Sequence, residues 1–346
     1  MTRPPPTSSL RTLARALAAS ALFVAAGCAA QASAPALSAP AAAPALVPAV
    51  RVAHADRATM LASARAGDRI VAVGDHGVVL LSDDGGRSHR QARSVPVDVA
   101  LTAVAFVDAQ HGWAAGHWGV LLRTEDGGET WQLQRSDVQH DRPLFALHFF
   151  DRQNGVAVGL WSLVLVTQDG GAHWQAVDLS PPEGAKRADL NLYGLFADAQ
   201  GRLYAPGERG MVLRSDDQGK SWRYLSSGYA GSFWTGTATP GGALLVAGLR
   251  GSMYRSADMG QSWQRIETHT TASITALASA GDRIIGVGLD GLLLISRDDG
   301  RSFATASRPD RLPLTSVLAN SQGRPVAYSR QGVLPRDAFK AQWPSD

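Results

Sequence analysis

Thr124-Glu125-Asp126-Gly127-Gly128-Glu129-Thr130-Trp131 is the stretch from which the fold follows. Its hydroxyl residue, its Asp two places on, its Gly two after that and its closing ring recur along the chain. The other copies are Ser82-Asp84-Gly86-Ser88-His89, Thr167-Asp169-Gly171-His173-Trp174, Ser215-Asp217-Gly219-Ser221-Trp222, Ser256-Asp258-Gly260-Ser262-Trp263 and Ser296-Asp298-Gly300-Ser302-Phe303. Successive aspartates lie 42, 43, 48, 41 and 40 residues apart. A period in this range belongs to stacked supersecondary units, of which the four-stranded propeller blade is the usual one. The longest spacing contains a Pro-rich insertion at residues 180–188.

The box is a staple for a hairpin. An Asp opening a tight turn accepts hydrogen bonds from the turn's own amides, and the Gly two residues later takes positive φ without a Cβ penalty. The closing Trp, Phe or His anchors the hairpin against its neighbour. Six equivalent aspartates, Asp84, Asp126, Asp169, Asp217, Asp258 and Asp298, cannot all be one active site, so they are read as structural.

Ahead of each box the alternation predicts three more strands. In one copy these are residues 101–108, 111–116 and 120–124, with His117-Trp118-Gly119 as the turn before the last of them. Equivalent units fit residues 61–94, 144–179, 190–226, 232–267 and 273–306, and a seventh begins at Thr315 and runs to Arg336 with a decayed box. The expectation is an all-β, seven-bladed β-propeller of four-stranded antiparallel blades. Ring closure needs the last blade locked to the first, because an open edge invites strand addition. Residues 47–55 read as a short strand that completes the seventh sheet, with residues 339–343 as the alternative.

The N-terminus predicts export. Arg3, Arg11 and Arg15 precede an apolar run at residues 16–26, too short to span a bilayer as a helix. Val24-Ala25-Ala26-Gly27-Cys28 resembles a bacterial lipobox, and Cys28 is the only cysteine in the chain. The domain expectation is a lipoprotein-type signal at residues 1–27, an Ala/Pro-rich tether at 28–46 and the propeller at 47–346. Ordinary signal cleavage near Ala32 or Ala34 is the competing reading. Either way the protein is expected outside the cytoplasm, in the periplasm, with membrane contact through the lipid on Cys28 in the first case.

Removing residues 1–27 takes away three arginines from a chain with formal charge +3, so the mature protein is balanced and gives no reason to expect nucleic acid. The nine histidines show no short metal-ligand spacing, no cysteine joins them, and no Gly-rich loop links a strand to a helix. No cofactor, metal or catalytic residue is expected. A glycoside hydrolase needs two carboxylates in distinct environments facing one cleft. Of the five glutamates only Glu208 falls on a turn that can face the ring's opening. The Asp box does look like the bacterial neuraminidase repeat, but the Arg-Ile-Pro segment of the sialidases is missing from this chain. A periplasmic hydrolase, or a small-ligand binder at the central channel, is the alternative.

His111-Gly112-Trp113-Ala114-Ala115-Gly116 followed by residues 121–131, and Asn154-Gly155-Val156-Ala157-Val158-Gly159 one unit later, resemble the repeats of the photosystem II stability and assembly factor family. The resemblance runs over about residues 47–336. It implies a non-enzymatic propeller that binds partly assembled membrane protein. Bacterial members outside oxygenic photosynthesis make the implied partner a protein of a membrane or envelope complex, not necessarily a photosystem.

A binding site is expected where the units differ while the scaffold stays constant. The turns between second and third strands differ most, and they share a face with the connections between blades. His76, His117, Trp118, Trp161, Arg209, Arg250 and Arg330 are the candidate partner-binding residues. They combine aromatic area with planar donors for carboxylates, the residue types that dominate interface energetics.

Overall fold

The computed structural model describes residues 45–334. They form seven antiparallel sheets in chain order, six of four strands and a last one of three. Blade 2 shows the plan: Leu101–Phe106 is innermost, then Gly112–Gly116, Leu121–Thr124 and, outermost, Gln132–Arg135. The middle strands are buried on both faces because each blade lies between two others. Gly112–Gly116, Gly155–Gly159 and Leu244–Gly248 are buried throughout, whereas Gln132–Arg135 is only partly covered.

Seven apolar clusters lie between consecutive blades. One joins blades 1 and 2 through Val71, Leu81, Leu101 and Leu122, and another joins blades 7 and 1 through Leu318, Tyr328, Met60 and Ile70. The core is therefore circular. Its seam carries polar ties as well: the Thr315 hydroxyl donates to the Met60 carbonyl, Ser63 and Ser316 share a hydrogen bond at 2.7 Å, and Asn320 donates to the Gly85 carbonyl at 3.1 Å.

The Asp boxes are built as the sequence requires. In the second one the Thr124 hydroxyl donates to Asp126 at 2.9 Å and accepts from the Gly128 amide at 3.0 Å, while the Thr130 amide and hydroxyl donate to the same carboxylate at 2.9 and 2.7 Å. Gly128 sits at φ 87°, where a Cβ would press on Leu81 and Val71 of the preceding blade. In the third box His173 Nδ1 takes the place of the hydroxyl, 2.7 Å from Asp169. These donors hold the carboxylates low. Asp258 falls to about 2 with the Ser262 hydroxyl as the largest cause, and Asp169 to about 2 with the His173 amide as the largest.

One expectation about closure fails. Residues 47–55 form no strand and do not extend the seventh sheet. Instead they lie along the outer edge of blade 1, where the Gln91 side chain accepts from the Val52 amide and donates to the Val50 carbonyl, both at 3.0 Å. A side-chain amide thus satisfies the backbone groups that a ladder would have used, and Pro48 has no N–H to give one. Residues 1–44, which include Cys28, and residues 335–346, which include the alternative closing segment, lie outside the described residues.

Candidate functional site: the rim of the central channel

Each turn between second and third strands is pinned beside the start of its own blade's inner strand. The amides of Asp75, His117, Leu160, Glu208, Leu249, Leu289 and Arg330 donate to the carbonyls of Thr59, Ala100, Pro143, Asn191, Ser232, Ser273 and Pro313, at 2.9–3.3 Å. Seven turns therefore ring one end of the channel. The Asp-box loops sit with the hairpins between first and second strands at the other end, as when the Gly127 amide donates to the Gln110 carbonyl at 2.9 Å.

At the tip of six of these turns the backbone is left-handed. His76, Trp118, Trp161, Arg209, Arg250 and Asp290 have φ between 52° and 56°. A side chain there is strained, and for Trp the strain is unusual. In five of the six the next residue is a Gly at which a Cβ would clash with its surroundings. A Cβ on Gly77 would meet the Val97 carbonyl at 2.0 Å, so the turn must follow this path whatever residue occupies its tip. The path leaves five of the six tip residues, all but Trp118, exposed.

The candidates differ in what they do with that position. The Trp161 side chain is the most exposed aromatic of the described residues, at 59%. Its amide is held by Asn191 Oδ1 at 3.0 Å. Trp118 leans inward and packs on the cluster between blades 1 and 2. His117 precedes it and is exposed. His76 points outward and lies 3.1 Å from Asp98. Arg209 makes only a 4.0 Å approach to Asp189, and among the described residues the Arg250 and Arg330 guanidinium groups have no partner. Arg330 stands at the first place of its turn, the equivalent of His117, and its blade lacks a left-handed tip residue.

Glu208 is occupied by the fold. It accepts from the Asn191 amide at 3.1 Å, from Asn191 Nδ2 at 3.0 Å and from the Tyr193 hydroxyl at 3.2 Å. Burial raises the Tyr193 phenol, and the nearby Glu208 charge adds to the effect despite the opposing Asn191 contact, so Tyr193 keeps the proton it donates. Among the described residues no three His, Cys, Asp or Glu gather where a metal could sit, and no helix is long and apolar enough to cross a membrane.

A second ring of residues stands at this mouth. One residue near the start of each inner strand is bulged out of register: Leu61, Thr102, Phe145, Trp234, Thr275 and Thr315 each fall between two paired neighbours. Tyr193 holds the same place after Leu192, which bridges Gly207. Aligning the units on the second residue of the first strand isolates this column, although alternation alone cannot distinguish it from an ordinary strand position.

A family model for the photosynthesis system II assembly factor YCF48 matches residues 88–183, the part that carries Trp118 and Trp161. Among solved structures, one described as YCF48 bound to D1 peptide is 18% identical, with a TM-score of 0.66 over 84% of this chain and 94% of that one. YCF48 from Cyanidioschyzon merolae is 15% identical, with a TM-score of 0.63 over 80% of this chain and 94% of that one. No curated protein sequence matches. The solved chains that match number 1390, so the architecture by itself names no activity. The chain is a seven-bladed Asp-box β-propeller similar to the photosystem II assembly factors, in sequence over residues 88–183 and in fold around the ring.

Proposed function

We propose that this protein is a non-enzymatic, exported propeller that binds protein and assists assembly or stability of a membrane or envelope complex. The observation that carries this reading is the ring of turn tips. The fold spends backbone strain to hold variable, bulky and cationic side chains at one mouth of the channel, with Trp161 and Arg250 left without a structural task. The likeness to a YCF48 structure solved with a D1 peptide supports a peptide-like client. Removal of residues 1–27 would take the chain from +3 to balance, which argues for a protein partner over nucleic acid.

The engagement of Glu208 by three donors of its own blade favours binding over hydrolysis, since a glycosidase acid must be free to face its substrate. Export and anchorage rest on the lipobox-like residues ending at Cys28. In that reading the tether keeps the propeller near a membrane on the periplasmic side. The test is capture of envelope proteins by the intact chain and by a Trp118, Trp161, Arg209 and Arg250 alanine variant. Loss of the same partners from a variant that melts normally supports the rim, and unchanged capture refutes it. Labelling with an alkyne fatty acid, lost on Cys28→Ala, tests the anchor.

A further inference from the structure

The bulged residues divide the channel mouth into two halves. In blades 2, 6 and 7 the hydroxyls of Thr102, Thr275 and Thr315 donate to the Leu144, Leu314 and Met60 carbonyls, the first residues of the next inner strands. Their side chains are consumed in sealing one blade to the next. Blades 3, 4 and 5 carry Phe145, Tyr193 and Trp234 at the same place, and none of these makes that bond. The Phe145 and Tyr193 rings lie 5.6 Å apart. The Trp234 carbonyl lies against Gly194, one residue beyond Tyr193, at 3.3 Å from where a Cβ would stand. All three side chains are half-buried, and among the described residues the Trp234 indole N–H has no acceptor.

Sealing does not explain this arc, because the ring closes with Thr or Leu at the same column in the other four blades. Three consecutive blades instead place a half-buried aromatic at the mouth, apolar surface of the kind that marks interaction sites. Above it stand the tips of the same three blades, Trp161, Arg209 and Arg250. Glu208 turns its charge inward onto the Asn191 and Tyr193 donors and Asp189 stands 4.0 Å from Arg209, so Arg250 is the cation of this sector with no acid beside it among the described residues.

We propose that this arc seats an extended peptide segment, which lays one large apolar side chain on Phe145, Tyr193 and Trp234 and sets flanking carboxylates against Arg209 and Arg250. The assignment follows from charge complementarity and from width: the aromatics span three blades, and the two arginines stand one blade apart. Planar guanidinium groups suit carboxylates, and aromatic floors suit a single bulky anchor. The proposal rests on the reading that the rim binds protein, and it names which part of the rim and which chemistry.

The probe is a fluorescein-labelled dodecapeptide with one Phe flanked by Asp and Glu, followed by anisotropy with the full chain. Matched peptides carry Ala for the Phe, or Lys for the acids. Binding is expected to weaken by about tenfold or more with either matched peptide and with Trp234→Ala, and Arg250→Ala should weaken it while flattening its salt dependence. Arg87→Ala on the Asp-box face is the control, and melting curves verify that each variant is folded. Equal binding by Trp234→Ala, or of the Ala peptide, overturns the arc while capture of clients by the rim still stands on its own test. No binding of the acidic Phe peptide by the native chain also overturns it. Competition by free N-acetyl-tryptophanamide at the peptide's own concentration would make the arc a small-ligand site and overturn the peptide assignment.

Discussion

His89 Nε2 lies 2.9 Å from the hydroxyl of Tyr328, joining the first Asp box to the last blade across the seam where the ring begins and ends. The two rings meet edge to face, and Tyr328 is fully buried. Where the later boxes close on Trp or Phe, this one closes on a polar ring that reaches around the seam. Tyr328→Phe should cost about 1 kcal/mol by leaving the imidazole unpaired, and Tyr328→Ala about 3–5 kcal/mol by opening a cavity between blades 7 and 1. Urea melts separate the two. Equal small losses would mean that the seam is not a cooperative part of the core.

Acid should unfold the protein in two stages. Burial lowers His89 and His148 to about 4 from an ordinary 6.5, with nearby Asp84 and Asp56 opposing the shift at His89. The unfolded chain therefore takes up protons first, and stability falls as pH drops from about 6.5 to about 4. The boxes follow. Asp169, Asp258 and Asp298 sit at about 2 against an ordinary 3.8, so their contribution is present above 3.8 and is lost as pH falls through about 2. A His89→Gln, His148→Gln variant should flatten the melting temperature between pH 6.5 and 4 while the lower stage persists. A melting temperature that still falls across the upper range in that variant would refute the assignment.

Asp126→Ala removes an acceptor used by the Thr124 hydroxyl and by the Thr130 amide and hydroxyl. A loss of about 1–3 kcal/mol is expected, read as a fall of several degrees in the melting temperature. The rim should keep its binding in this variant, because the box occupies the opposite face. Loss of binding at full folding would give the box a functional role.

Gln91→Ala should free residues 47–55 without opening the ring. Both hydrogen bonds to Val50 and Val52 are lost, worth about 1–2 kcal/mol together, and limited proteolysis should cut within this stretch faster. Collapse of the whole ring would instead give the segment the closing role that the sequence suggests.

The Asp boxes made the blade count and the structural part of each hairpin legible, because every copy carries its own hydrogen-bonding chemistry. The turn tips were legible too, as the column where His76, Trp118, Trp161 and Arg209 differ. Two features were not. Residues 47–55 read as a strand, yet their backbone is held by the Gln91 side chain and by an Ala49-to-Val95 hydrogen bond, long-range contacts that leave no periodic trace. Phe145 and Tyr193 look like core positions, because a bulge shifts register without requiring Gly or Pro.

The rim, not the Asp-box face, is the proposed contact surface for other molecules. Photo-crosslinking tests it most directly, with p-benzoylphenylalanine placed at Trp161 on the rim or at Arg87 on the opposite face and irradiated in the native cell. Adducts with an envelope protein from position 161 and none from position 87 are the predicted result. Adducts confined to position 87 would place the contact on the Asp-box face instead.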